Sequence, residues 1–79
     1  MEKLDIRQNI KNNLIDLRMK KGLTQLEIAE ICDKKMTTVS SWEQGVSLPD
    51  IYTLHKLATY YGVTMEYLCE NSAEGRDFV

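Results

Sequence analysis

Few side chains in this sequence could do chemistry on their own. Cys32 and Cys69 are its two cysteines and His55 its single histidine. A zinc site needs closely spaced soft ligands such as a C-x-x-C pair, and these three residues cannot assemble one. Both cysteines are therefore expected as small core residues. His55 follows Leu54 in a helical pattern that turns Leu54 inward, so its imidazole is expected to face solvent rather than act as a general base. No nucleophile stands beside a base, and there is neither a carboxylate pair nor a glycine-rich phosphate loop. The expectation is a protein that is not an enzyme and uses neither cofactor nor metal.

Charge is the next resource. The net charge of -2 counts against a polyanionic partner, but the charges are unevenly distributed. Through Leu48, eight basic residues face seven acidic ones; from Pro49 onward, Lys56 and Arg76 face Asp50, Glu66, Glu70, Glu74 and Asp77. Lys20 and Lys21 form one pair of cations, and Lys34 and Lys35 another. The opening MEKLDIRQNI scatters charge among apolar residues, and no apolar run reaches the ~18 residues a membrane span needs. A soluble cytoplasmic protein of a bacterium or phage is expected, without membrane association.

The elements that must position these residues are short helices. Ile6, Ile10, Leu14 and Leu17 share a helical stripe that Asp5 can cap and Gly22 can end. Thr24-x-x-Glu27 is a capping box, and the helix it opens buries Ile28, Ala29 and Ile31. After Cys32, Asp33-Lys34-Lys35 is long enough only for a tight turn, and Met36 to Gln44 forms a third helix with Val39 and Trp42 inward, ended by Gly45. Ser47 to Asp50 reads as a loop. Asp50 then caps a fourth helix carrying Ile51, Leu54, Leu57, Ala58 and Tyr61 up to Gly62, and Thr64 caps a last short helix with Met65, Tyr67 and Leu68. The prediction is a compact all-α domain of five helices over residues 1–70, with 71–79 as a frayed tail.

Two short helices joined by a tight turn make a helix-turn-helix. The stretch LTQLEIAEICDKKMTTVSSWEQGVSLPDIYTLHKLATYYGVTMEYL resembles the Cro and phage-repressor type helix-turn-helix family of transcriptional regulators. Its specific pieces are Leu23-Thr24-Gln25, Ala29, Ser41-Trp42-Glu43-x-Gly45, Pro49, and Gly62-Val63-Thr64 before Leu68. The likeness covers roughly residues 8 to 69. It implies a third helix laid in the major groove of double-stranded DNA, with bases read from Met36, Thr37 and Ser41, and Thr38 and Ser40 beside them. Gln25 and Gln44 match positions that bond phosphates, with Lys20, Lys21, Lys34 and Lys35 adding charge nearby. Arg18 and Glu43 match a paired arginine and glutamate; the alternative is two solvated surface charges.

The departures lie in the turn. Family members commonly have glycine at Asp33, an apolar residue at Lys34 and a capping serine at Lys35. Aspartate tolerates the left-handed conformation, but Lys35 cannot cap a helix. The leading expectation is a repressor acting as a homodimer on a pseudo-palindromic operator, paired through its C-terminal half by Met65, Tyr67 and Phe78. The competing one is a protein-interaction module on the same fold, anti-repressor or antitoxin-like, which the acidic total favours.

Overall fold

The computed structural model describes residues 5–70. Phe78 and the tail at 71–79 lie outside the described residues. Among these, five α-helices make up the regular structure: α1 (Ile6–Lys20), α2 (Gln25–Cys32), α3 (Met36–Glu43), α4 (Ile51–Tyr61) and α5 (Met65–Cys69).

Local chemistry sets most of the boundaries. The Asp5, Thr24, Asp50 and Thr64 side chains accept from the backbone amides of Gln8, Glu27, Thr53 and Tyr67, so four of the five helices start on a side-chain cap. Thr24 also completes its box, its own amide donating to Glu27 Oε1 at 2.8 Å. α2 stops because Asp33 turns left-handed at φ 59°, which lets the Lys34 amide donate to Ala29 O at 2.8 Å. Lys35 precedes α3 without a side-chain cap, and Gly62 ends α4 at φ 72°.

The core gathers Ile10 and Leu14 of α1, Ile28, Ala29 and Cys32 of α2, Val39 and Trp42 of α3, Leu54, Leu57 and Ala58 of α4, and Leu68 of α5. α3 packs on α2 and α1, while α5 lies against α1 and α4. Leu57 and Leu68 are completely buried, each contributing ~1.5–3 kcal/mol relative to an exposed side chain. Burial pushes the Cys32 thiol above its usual pKa, which keeps it protonated and inert.

Two expected core residues are not there. Ile6 is 53% and Ile51 76% exposed, because each occupies the first turn of its helix, before the packed stripe begins. In α1 that stripe starts at Asn9, and in α4 Thr53 is buried with Leu54. Ile31 and Leu17 are partly buried at the core's margin.

Candidate nucleic-acid interface

α3 presents two faces. Val39, Trp42 and Glu43 point inward, Met36, Thr37 and Gln44 are exposed, and Thr38, Ser40 and Ser41 lie half-buried between them. The two serine hydroxyls are engaged within the chain: Ser40 accepts from Gln44 Nε2 at 2.9 Å, and the Ser41 hydroxyl bonds that of Ser47. Ser47, in the loop after α3, is a partner that residue spacing alone does not signal.

A polar cluster holds α3 in place. Arg18, on the last turn of α1, donates through Nε to Glu43 Oε2 at 2.8 Å and through Nη2 to Glu43 Oε1 at 3.0 Å, while its Nη1 donates to Leu23 O at 2.8 Å. The first turn of α2 joins in, with Gln25 Nε2 donating to Glu43 Oε1 at 3.0 Å. Side-chain exposures of 18% for Arg18 and 7% for Glu43 put the pair out of bulk water. The hydrogen bonds to Glu43 raise the Arg18 pKa further above its already high value, so the guanidinium is charged at every accessible pH. A planar fork on a carboxylate fixes direction as well as distance, so the end of α3 is locked to the end of α1 and the start of α2. The Gln25 amide nitrogen carries two hydrogens, one of them spent on Glu43.

The structure does not bring the four lysines together. Lys34 Nζ lies 3.8 Å from Asp50 Oδ2 at the start of α4. Lys21 Nζ lies 5.4 Å over the ring of Tyr60 near that helix's other end. The two therefore sit ~15 Å apart along α4. Lys35 is exposed at the start of α3, and Lys20 pairs with Asp16 one turn back on α1 at 3.4 Å. Two cations not singled out by the sequence lie at the far end of α3. Arg7 Nη1 is 3.5 Å from Val46 O, and the Lys11 stem passes beside Gly45. Their signal was the spacing of four residues along α1, which places Arg7 and Lys11 on one helix face.

A family model described as helix-turn-helix matches residues 14–68. The chain belongs to this helix-turn-helix family. It is 36% identical over 61 residues to the uncharacterized HTH-type transcriptional regulator y4dJ of Sinorhizobium fredii, covering 77% of this chain and 79% of that protein. It is 34% identical over 62 residues to the cryptic phage CTXphi transcriptional repressor RstR of Vibrio cholerae, covering 78% of this chain but only 56% of the repressor. Among solved structures, the hypothetical transcription factor NHTF from Neisseria superposes with a TM-score of 0.83 at 25% identity, covering all of this chain and 91% of that one. The matched residues include α2, the Asp33–Lys35 turn and α3.

Proposed function

We propose that this helix-turn-helix protein is a transcriptional repressor that binds double-stranded DNA by laying α3 in the major groove. The observation that carries the reading is the Arg18–Glu43–Gln25 cluster. It holds α3 rigidly against α2 with Met36 and Thr37 facing outward, and places the Gln25 amide at the start of α2, where free backbone amides favour a phosphate. Lys34 and Lys35 supply charge at the start of α3, and Arg7 and Lys11 at its far end, where Gln44 adds a neutral amide. Lys20 and Lys21 extend the positive surface on the α1 side.

The test is binding to random duplex across a salt series, because only phosphate neutralisation gives a steep log-log slope. Lys34→Ala and Lys35→Ala are each expected to weaken binding to all duplexes alike and to flatten the slope by about one per lost contact. Parent-like binding by both variants would show that this end of α3 does not face DNA.

A homodimer on two half-sites supplies the specificity that one short helix lacks. Met65 and Tyr67 are partly buried against the chain's own core, which leaves only a fraction of each for a second copy. Exposed apolar side chains in the C-terminal half include Tyr52 and Tyr60 on one face of α4. Tyr52→Glu is expected to convert a dimer to a monomer in sedimentation and to weaken binding to a two-half-site operator. A monomeric parent, free and on its operator, would refute the dimer.

One observation favours the second reading, a protein-interaction module. Ile31, Tyr52, His55, Lys56, Thr59 and Tyr60 line an open apolar groove of about 450 Å³ beside α4. Absence of salt-dependent duplex binding would put that reading first.

A further inference from the structure

α3 has the sequence MTTVSSWE and contains no arginine, lysine, asparagine or glutamine. These are the side chains that grip guanine or adenine through paired hydrogen bonds in the major groove. Its one acidic residue, Glu43, is buried in the ion pair and cannot accept from cytosine. Two of its four hydroxyls, on Ser40 and Ser41, already bond within the chain. Thr38 is half-buried. The first turn of α3 therefore offers a base edge chiefly the Met36 thioether, 47% exposed, and the exposed Thr37 with its methyl and hydroxyl. This surface is mostly apolar, and the major groove displays one apolar group that distinguishes a base pair, the C5-methyl of thymine.

Resting on the DNA-binding reading above, we propose that Met36 and Thr37 select the operator by packing on thymine 5-methyl groups, so that thymines help to define the preferred half-site. Both side chains leave the first turn of α3, about 100° apart around the helix axis. Each methyl removed from water is equivalent to about one buried CH2, or roughly a fourfold change in affinity. That gain is modest per contact, and two half-sites multiply it.

The experiment begins by selecting bound duplexes from a random pool. The preferred site is then remade with each thymine replaced in turn by deoxyuridine, which removes the methyl and leaves the pairing edge unchanged. At one or more thymines of each half-site the parent is expected to lose about fourfold in affinity. Met36→Ala or Thr37→Ser should bind the thymine and deoxyuridine forms of its matching position equally, closing a double-mutant cycle. Both residues are exposed and the other change is in the DNA, so misfolding does not imitate this result. Sharp selection of a site that tolerates deoxyuridine everywhere overturns the inference while leaving DNA binding intact. Failure to bind or enrich any duplex overturns the DNA-binding reading, and the inference with it.

Discussion

Arg18→Ala is expected to lower the free energy of unfolding by about 3 kcal/mol or more, the loss typical when one partner of a buried ion pair is removed. The truncation strands Glu43, whose side chain is 7% exposed, with only the Gln25 amide among its present partners. It also takes a donor from Leu23 O at the turn between α1 and α2. A chain of 79 residues is expected to have only ~4–12 kcal/mol of total stability, so the loss is a large share of it. Denaturant titration reads it as a shifted midpoint with little change in slope. Arg18→Lys should recover only part of the loss, because an ammonium keeps the charge but not the fork. Combining Arg18→Ala with Glu43→Leu should recover more than either single change implies, since no buried charge is then left unpaired. An unchanged midpoint in Arg18→Ala would show that water replaces the guanidinium at no cost.

How much of this architecture could be read from the sequence depended on the range of each interaction. The caps of Asp5, Thr24, Asp50 and Thr64 lie within three residues of the amides they satisfy, and residue order exposes them directly. The burial of Ile28 and Ala29 follows from their helical spacing in α2. Arg18 and Glu43 are 25 positions apart, and only likeness to a family suggested that they might meet. Apolar periodicity overreached at Ile6 and Ile51, because it marks a helix face without marking where the neighbouring elements stop covering it. Residue type made Ser40 and Ser41 eligible base readers, but it carried no sign of their hydrogen bonds to Gln44 and Ser47. Residue order shows two lysine pairs flanking one motif but not their partners, Asp16 for Lys20, the Tyr60 ring for Lys21 and Asp50 for Lys34.

Asn9 and Asn13 were the least legible residues, and Asn13 carries the second large expected effect. An amide on an amphipathic helix reads as part of the solvated face, since the pattern scores only apolar positions. In the fold both asparagines are buried, one turn apart on α1 and aimed at the end of α5. Asn13 Nδ2 donates to the carbonyls of Tyr67, Leu68 and Glu70 at 3.0, 2.9 and 2.7 Å, and Asn9 Nδ2 to that of Cys69 at 3.0 Å. The Tyr67 carbonyl also accepts from the Glu70 amide at 3.3 Å, and the asparagine amides serve the other carbonyls at this helix end. α5 has five residues, far too few to be stable by its own hydrogen bonds, so it depends on Leu68 in the core and on these two amides. Asn13→Ala is expected to cost about 1–3 kcal/mol, chiefly by taking the amide donor from the buried Leu68 carbonyl. Asn13→Asp should cost more, because a carboxylate would face the same oxygens. The loss should appear first as local opening, with the α5 amides exchanging hydrogen faster than those of α2 and α3. Arg18→Ala, by contrast, should loosen α2 and α3 and lower DNA affinity under conditions where the chain is still folded. Unchanged melting and exchange in Asn13→Ala would mean that water enters and bonds the carbonyls in place of the amide.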